Sequence, residues 1–483
     1  MEFIKKHFIV LALLLLNIVI KVMYLSFQPI SHDEPFSIYH AQFDFYNIIH
    51  YLKNYNNPPF FELILHFWIK CFGISPFSVR FLPMLFSSLS VVLIYKIGVL
   101  IFDKRIALIS SLLFTFSTFQ IFYAHDCRVY TLFLFLTLCS FNLFFKLLKN
   151  NSLNNWRFIA FIFVNSLIVY AHYFGFIVWF LQIGIVLFFY RTNKVILKSF
   201  ILALFVSLVV YIPQLLIVFQ RFLDSSKNGT WLHEPNGIES IYNMLWSFCN
   251  APVVTVLVIV LFALALGKYF KDITLIKINI FTWQIIFWFV IPFILMFIIS
   301  FKIPMFLDRY LIFITPAFYF LISLSIRFLF KSKIYFNLVA LILIISFAFT
   351  TSYNPSKKRQ MIESVNFIKN NKTDSTIIIV CPFDFITTLS YSYNQTFFKQ
   401  IKQDNEYLDL DNNLKRDNIL FINKIDSNII NKIKTFKKVI YFDAAADFAF
   451  PDNKIKETLD SNFYKLDNSY SDNLFKIFSY KIK

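Results

Sequence analysis

Long apolar runs follow one another through the first 351 residues, and they constrain the fold more than any other feature. A helix that crosses a bilayer needs about 20 mostly apolar residues. The chain is 58% hydrophobic and only 15% charged, which excludes a disordered chain and a single soluble domain. We therefore predict an all-α polytopic membrane protein over residues 1–351, with about eleven transmembrane helices. The predicted spans are residues 8–27, 77–101, 106–123, 129–148, 157–172, 174–190, 197–217, 243–266, 280–300, 311–329 and 334–351.

The basic residues predict the orientation of these spans. The net charge of +18 suggests nucleic-acid binding, but 26 of the Lys and Arg residues lie within residues 1–351, mostly in short clusters between apolar runs. Positive clusters flank the cytoplasmic ends of spans. With a cytoplasmic N-terminus, clusters such as Lys104–Arg105 fall inside, and nine of the twelve acidic residues in this region fall outside. We expect no nucleic-acid partner, and an odd span count places residues 352–483 outside.

Two classes of site are excluded by spacing. The five cysteines show no C-x-x-C spacing, which argues against a zinc site and against a disulfide framework. Neither G-x-G-x-x-G nor G-x-x-x-x-G-K occurs in the sequence, so a glycine-rich nucleotide loop is not expected.

The first outer loop, about residues 28–76, begins with an adjacent pair of acids. Asp33 and Glu34 directly follow the first span. They are either a solvated acid pair or a general base or metal ligand whose pKa is adjusted by partial desolvation. Further along, Asn57-Pro58-Pro59 precedes an apolar aromatic segment over 60–70 that is too short to span. This segment predicts an interfacial helix, with a re-entrant helix as the alternative.

Three further outer turns carry polar residues, and the predicted topology puts them on the same face as the first loop. Taken singly, each is also accounted for by the polarity that any turn needs. Together they bring guanidinium groups, which bind phosphate oxygens in a fork, to the same surface as carboxylates that can take a proton from a hydroxyl. This combination predicts chemistry on a lipid-linked phosphate at the outer leaflet. The turns are His125-Asp126-Cys127-Arg128-Val129-Tyr130, Tyr170-Ala171-His172-Tyr173, and Asp308-Arg309-Tyr310.

These motifs and their order resemble the GT-C glycosyltransferases of the protein O-mannosyltransferase and aminoarabinose-transferase type. The resemblance covers about residues 1–350. It rests on the Asp33-Glu34 pair, the Asn57-Pro58-Pro59 segment followed by Arg80, the acid-x-Arg-x-Tyr turn at residues 126–130, and the late Arg-Tyr element at 309–310.

The resemblance implies a sugar donor linked to a polyprenyl phosphate and a glycan, lipid or protein acceptor at the extracytoplasmic face. It implies inversion at the anomeric carbon, without a metal or with weak assistance from a divalent metal. It assigns the base to Asp33, a supporting role to Glu34 and a second acid to Asp126. The residues it assigns to substrate binding are Asn57 (often Lys in relatives), Arg128, Tyr130, His172, Arg309 and Tyr310, and a metal, if present, would use Asp33, Asp126 or His125.

The C-terminal region, residues 352–483, predicts a small extracytoplasmic α/β domain. Short β-branched runs at 376–381, 418–424 and 438–442 predict buried strands. Polar segments at 358–370, 427–436 and 453–461 predict helices, and residues 462–483 predict an antiparallel pair. Alternation of strands and helices favours an α/β fold, in which Asp384 and Asp443 follow strands and are assigned to structure.

Two other functions fit a basic polytopic chain. A transporter or flippase of lipid-linked sugars is expected to show inverted repeats and charges at mid-membrane, and neither is evident in the sequence. A non-catalytic membrane scaffold would leave Asp33 and Asp126 replaceable. We therefore favour a transferase in an integral multi-pass membrane protein, with the bacterial inner membrane as its expected location.

Overall fold

The computed structural model describes residues 2–31, 33–53, 55, 57–150, 156–228, 232–271, 278–355, 361–399, 405–446, 450, 454–471 and 474–482. The chain forms two compact units. The helical unit comprises Met1–Leu25, Lys53–Phe61 and Arg80–Pro355, and the mixed unit comprises Ser26–Leu52, Glu62–Val79 and Ser356–Lys483.

Apolar helices build the helical unit. In chain order they are α1 (Glu2–Val22), α5 (Pro76–Ile101), α6 (Lys104–Thr115), α7 (Thr118–Ala124), α8 (Tyr130–Asn150), α9 (Trp156–Ala171), α10 (Gly175–Phe189), α11 (Lys194–Asn228), α12 (Gly237–Cys249), α13 (Pro252–Lys271), α14 (Ile280–Ile299), a 3₁₀ helix (Asp308–Ile314), α15 (Thr315–Leu329) and α16 (Lys333–Thr350).

The predicted class of polytopic helical membrane protein is confirmed. Within the described part of the chain, seven helices are long and apolar enough to cross a membrane, or eight if α6 and α7 form one bent span. The other three predicted spans coincide with shorter apolar helices at His7–Val22, Trp156–Ala171 and Gly175–Phe189. The predicted number of eleven therefore corresponds to eleven apolar elements, of which seven or eight reach full length.

Two of the predicted spans are interrupted. The span predicted at 106–123 bends by 61° between α6 and α7, where the Ser117 side chain accepts a hydrogen bond from the Gln120 N–H and so starts a new helix. The continuous span predicted at 243–266 is wrong. Helix α12 ends at Cys249, Asn250 takes a left-handed φ of 68°, and Pro252 begins α13. An Asn just after a helix and a Pro at the first helical position are ordinary helix boundaries.

Polar side chains join the apolar helices. The Ser140 hydroxyl on α8 donates to Asn165 on α9 at 3.2 Å and accepts from the Gln182 amide on α10 at 2.6 Å. Ser110 on α6 and Ser323 on α15 are 2.8 Å apart. Such pairs hold helices together in lipid, where apolar burial gives little net driving force between helices.

The C-terminal part of the mixed unit is built on a six-stranded sheet. The strand order is β2-β1-β3-β6-β4, with β5 also pairing β6; β1, β2 and β3 are parallel, and β6 runs antiparallel beside β3. All six residues of β1 are buried, as expected for a parallel strand covered on both faces. The strands are β1 (Thr376–Cys381), β2 (Ile419–Phe421), β3 (Lys438–Ala444), β4 (Tyr464–Lys465), β5 (Tyr470–Ser471) and β6 (Phe475–Lys481).

Short helices complete this region, and the predicted α/β pattern is confirmed. The three predicted helices correspond to α17, α21 and α22, and the predicted antiparallel pair corresponds to β4, β5 and β6. The helices are α17 (Met361–Asn371), a 3₁₀ turn (Phe383–Phe385), α18 (Ile386–Tyr393), α19 (Gln395–Lys399), α20 (Leu408–Arg416), α21 (Ser427–Ile433) and α22 (Ile455–Asn462).

Segments of the first outer loop fold together with this region. They contain α2 (Glu34–His40), α3 (Phe45–Leu52) and most of α4 (Phe60–Phe72). The Tyr39 hydroxyl donates to the Glu406 carbonyl at 2.8 Å, and His40 Nε2 lies 2.7 Å from the Glu406 carboxylate. The Tyr391 hydroxyl donates to the Ile74 carbonyl at 3.0 Å. The acid pair of the first loop is thus carried by a helix that is tied to the C-terminal region.

Candidate active site

A carboxylate and a guanidinium lie side by side at the start of the 3₁₀ helix in the helical unit. The Asp308 Oδ1 atom accepts hydrogen bonds from the Tyr123 hydroxyl at 3.0 Å and from the Arg309 backbone N–H at 2.7 Å. The Arg309 guanidinium lies 5.7 Å from the centre of the Tyr130 ring and 5.6 Å from that of Tyr310. Two aromatic faces at this range hold a cation by its attraction to their π electrons.

His172 is enclosed next to these residues, in the loop between α9 and α10. Its ring stacks on Phe133 with 4.8 Å between centres and meets Tyr310 edge-on at 5.9 Å. Burial, together with the positive charges of Arg309 and Arg128, lowers the pKa of His172 to about 3. The imidazole is therefore neutral at physiological pH.

The hydrogen bonds of His172 decide which ring nitrogen carries the proton. The Phe174 backbone N–H donates to Nδ1 at 3.1 Å, so the proton of the neutral ring is on Nε2. The Nε2 atom is buried and has no hydrogen-bond partner among the described residues. A buried unpaired donor costs about 1–3 kcal/mol, and a ligand oxygen at this place would remove that cost.

Gly175 shapes the hairpin that carries His172. Its N–H donates to the His172 carbonyl at 2.8 Å. A Cβ atom at this position would lie 2.9 Å from the Ile168 carbonyl oxygen, so only glycine allows the tight turn from α9 into α10. The position of the imidazole thus depends on a glycine three residues away.

The turn before α8 supplies the remaining groups of the cluster. Asp126 is buried, and its carbonyl accepts the Arg128 N–H at 2.7 Å. The charges of Asp308, Arg309 and Asp126 all act on the Tyr123 hydroxyl. The structure therefore brings together, from three distant parts of the chain, most of the residues that the sequence predicts. This set, which we name the cation cluster, contains Tyr123, Asp126, Arg128, Tyr130, His172, Asp308, Arg309 and Tyr310.

His125, a possible metal ligand, is hydrogen-bonded to the backbone of α1. Its Nε2 atom donates to the Lys21 carbonyl at 2.7 Å, so this nitrogen fastens the turn to the end of α1. Among the described residues, no three His, Cys, Asp or Glu side chains are grouped closely enough to hold a metal ion.

Asn57 is not joined to this set by any hydrogen bond within the described residues. It is half-buried in the short segment before α4.

The acid pair lies in the mixed unit and has two distinct environments. Glu34 is fully buried, and its Oε2 atom accepts the Ser31 N–H at 3.2 Å. Asp33 is the N-cap residue of α2, yet its side chain makes no capping hydrogen bond. Of the two carboxylates, Asp33 is half-buried and Glu34 is held inside the fold. His32, which precedes them, lies outside the described residues.

Several residues of this region escape prediction from the sequence. Tyr123 and Asp308 are hydrogen-bonded across 185 positions of the chain. Asn243 and Trp246, on α12, line a cavity together with both of them. Two polar-edged residues three positions apart indicate one face of an amphipathic helix. The apolar run that follows hides this pattern, because the two segments together have the length and composition of a single span.

Comparison with solved structures shows which known proteins share this fold. Solved structures of ArnT from Cupriavidus metallidurans superpose with TM-scores of 0.58 when bound to undecaprenyl phosphate and 0.60 in the apo state, at 10% and 11% identity, covering 97% of each chain. An oligosaccharyltransferase from Archaeoglobus fulgidus gives a TM-score of 0.52 at 13% identity, covering 100% of this chain and 75% of its own. The chain shares the overall fold of these solved structures.

A narrower similarity concerns one segment. Residues 56–217 match the family model described as dolichyl-phosphate-mannose-protein mannosyltransferase, about a third of the chain. This segment contains the turn at 125–130 and His172 of the cation cluster. No curated protein matches the chain in sequence.

Proposed function

We propose that the chain transfers a sugar from a polyprenyl-phosphate-linked donor to a glycan, lipid or protein acceptor at the extracytoplasmic face of the membrane. The observation that carries this proposal is the cation cluster. Arg128 and Arg309 are close enough for their charges to act on the buried His172 imidazole, whose Nε2 atom has no hydrogen-bond partner among the described residues. Two guanidinium groups and an N–H donor are the groups that hold a phosphate.

In this proposal the cation cluster holds the phosphate of the donor. The Arg309 guanidinium is positioned by the flanking rings of Tyr130 and Tyr310. The Nε2–H of His172 donates to a phosphate oxygen, which removes the cost of its burial. The N–H of a neutral imidazole adds a directed hydrogen bond without repelling the guanidinium groups.

The same donors assist the departure of the phosphate. When the bond between the anomeric carbon and the phosphate oxygen breaks, negative charge grows on that oxygen. Positively charged and N–H donors already in place stabilise this charge without having to reorganise. The products are the glycosylated acceptor and the free polyprenyl phosphate.

Asp33 is the proposed general base. It takes the proton of the acceptor hydroxyl while the oxygen forms the new bond to the anomeric carbon, and a single displacement of this kind inverts the configuration. Support comes from the resemblance of the Asp33-Glu34 pair to the family's acid pair after the first span, and from the half-buried position of Asp33. Buried Glu34 supports the loop through Ser31. Asp126 is the proposed second acid near the sugar.

The distribution of charge supports an orientation with the cation cluster and residues 352–483 outside the cytoplasm. The bacterial inner membrane is the proposed location.

The test uses the purified full-length protein with a panel of polyprenyl-phosphate sugars, each offered with glycan, lipid and peptide acceptors. We expect one donor to release free polyprenyl phosphate and to yield a glycosylated product of inverted configuration. Arg128→Ala and Arg309→Ala are expected to reduce this transfer, and their matched control is Lys302→Ala, which removes an exposed cation outside the cluster. Movement of the intact donor across the vesicle membrane, without release of polyprenyl phosphate, would instead establish a transporter. If neither movement nor release is observed, a scaffold is favoured.

A further inference from the structure

A cavity of about 490 Å³ lies in the helical unit beside the cation cluster. Its volume is within the range of about 300–1,000 Å³ that is usual for small-ligand sites. We propose that this cavity binds the sugar ring of the lipid-linked donor, with Trp246 against a carbon face of the ring and with Asn243 and Asp308 on its hydroxyls. The proposal rests on the proposed function. The lining residues are Thr118, Phe119, Phe122, Tyr123, Asn243, Trp246, Ser247, Asn250, Asp308 and Pro355.

Helix α12 presents one wall of the cavity. Asn243, Trp246 and Ser247 are spaced three and four residues apart, which puts them on the same face of the helix. The Trp246 side chain is 41% exposed and the Asn243 side chain is also exposed. Neither the indole N–H nor the Asn243 amide has a hydrogen-bond partner among the described residues, so both can serve a ligand.

Helix α7 presents an opposing aromatic wall with Phe119, Phe122 and Tyr123. Phe119 and Tyr123 are held edge-to-face at 4.8 Å. A sugar ring has apolar C–H faces and a rim of hydroxyls, so it needs aromatic surface together with a few hydrogen-bonding groups. The mixture of three aromatic rings, an indole, an amide and a carboxylate has this composition.

Asp308 connects the cavity to the cation cluster. The hydrogen bonds that Asp308 accepts from Tyr123 and Arg309 both go to Oδ1. A carboxylate can accept on both oxygens, so Oδ2 is available to a sugar hydroxyl. Asp308 and Tyr123 belong both to the cavity lining and to the cation cluster, so a sugar in the cavity would lie next to a phosphate held by the cluster.

Other occupants fit the lining less well. An alkyl chain would leave the amide and the carboxylate without partners, which carries a desolvation cost. A phosphate in the cavity itself would be repelled by Asp308. The donor's sugar satisfies both the aromatic and the polar groups while keeping its phosphate at the cation cluster.

The test compares two lipids, the polyprenyl-phosphate sugar that the protein uses and the same polyprenyl phosphate without a sugar. We expect Trp246→Ala and Asn243→Ala to weaken binding of the sugar-bearing lipid by roughly tenfold, the equivalent of one to two lost hydrogen bonds. Binding of the bare lipid is expected to stay as in the wild type. Ile238→Ala is the matched control, because Ile238 lies on the same helix, is 84% exposed and does not line the cavity.

The outcomes separate this inference from the proposed function. Equal weakening for both lipids, or a change only in the apparent affinity for the acceptor, would overturn the inference while transfer by the wild type still stands. An unchanged affinity in both variants would overturn it in the same way. A wild-type protein that neither binds nor cleaves any donor would overturn both proposals. Thermal unfolding of each variant checks that the helix has kept its fold.

Discussion

The side chain of Arg309 has properties that a lysine would not fully reproduce. Its planar guanidinium lies 5.7 Å from the centre of the Tyr130 ring and 5.6 Å from that of Tyr310. A guanidinium also offers several donors in a rigid fork, whereas an ammonium is a hydrated point charge. The chemical identity of this residue therefore matters at the site, beyond the charge that it carries.

We expect Arg128→Ala and Arg309→Ala to weaken donor binding, each by roughly 10- to 100-fold, since a hydrogen bond to a charged group contributes about 1.5–3 kcal/mol. Lys302→Ala, at an exposed cation, is expected to have little effect. Equilibrium binding of a labelled polyprenyl-phosphate sugar measures all three. If Lys302→Ala is the most damaging, the phosphate is held elsewhere.

Asp33→Asn tests the base. The substitution preserves shape and removes the proton acceptor, and a positioned base accelerates a reaction by about 10²–10⁴-fold. We expect turnover to fall by roughly two orders of magnitude with donor affinity nearly unchanged. Glu34→Gln is expected to be milder, because the amide oxygen can still accept the Ser31 N–H.

The matched control for Asp33 is Asp44→Asn. Asp44 accepts the Asn47 N–H at 2.8 Å near the start of α3, and an asparagine oxygen can do the same. Turnover and donor binding are measured separately in each purified variant. Near-normal turnover in folded Asp33→Asn protein would transfer the role of base to Asp126.

At the scale of elements, the turn between α12 and α13 is held by one side chain. The Asn250 amide nitrogen donates to the carbonyls of Phe116 and Phe347, at 2.7 and 3.1 Å, and its Oδ1 atom accepts the Thr118 N–H at 2.8 Å. The N-terminus of α7 is thus hydrogen-bonded to the residue that follows the C-terminus of α12, and both helices line the cavity. An apolar residue of equal size at this helix end could not form these hydrogen bonds.

We expect Asn250→Ala to destabilise the protein by roughly 2–4 kcal/mol, because it removes at least three hydrogen bonds of about 1 kcal/mol each and strands buried partners. Alanine also disfavours the φ of 68°, which glycine accepts. Asn250→Gly is therefore expected to be less damaging than Asn250→Ala. Thermal unfolding in detergent measures both. Asn243→Ala is the control, and an equal midpoint for it and Asn250→Ala would contradict the role of the turn.

At the scale of the whole molecule, the chain order does not follow the order of the compact units. Ser26–Leu52 and Glu62–Val79 belong with residues 356–483, although more than 270 residues separate them from it. His40 is one residue that joins these segments. Its Nδ1 atom lies 2.8 Å from the Phe36 carbonyl, and its Nε2 atom lies 2.7 Å from the Glu406 carboxylate. The proposed base is therefore carried by a unit that needs both ends of the chain to form.

Single cysteines test the proposed orientation of the membrane protein. In a background with Cys71 and Cys139 replaced by serine, an impermeant thiol reagent is applied to intact cells. We expect labelling on one set of exposed positions only, because positive charge marks the cytoplasmic ends of spans. Labelling of both sets from outside would refute the orientation. The outer set is Tyr46, Glu239 and Lys302, and the inner set is Lys104, Lys194 and Lys331.

The sequence by itself determined the class of the molecule and most of its elements. Apolar runs of membrane length and β-branched runs in the C-terminal region are local signals, since each reflects the burial of a single helix or strand. Alternation of the spans puts alternate turns on the same face, which predicts that Arg128, His172 and Arg309 belong to one site. Local breaks, such as the Asn250-Ala251-Pro252 boundary, were visible in the sequence but were masked by continuous hydrophobicity.

Only the tertiary structure decided which groups touch. The hydrogen bond from Tyr123 to Asp308, the unpaired Nε2–H of His172 and the cavity beside Trp246 depend on how distant helices pack. Hydrophobic burial is non-directional. Apolar periodicity therefore predicts that a helix is buried, but it does not predict which neighbouring helix it packs against. The partners of a polar side chain are set by that choice of neighbour, which no local pattern in the chain contains.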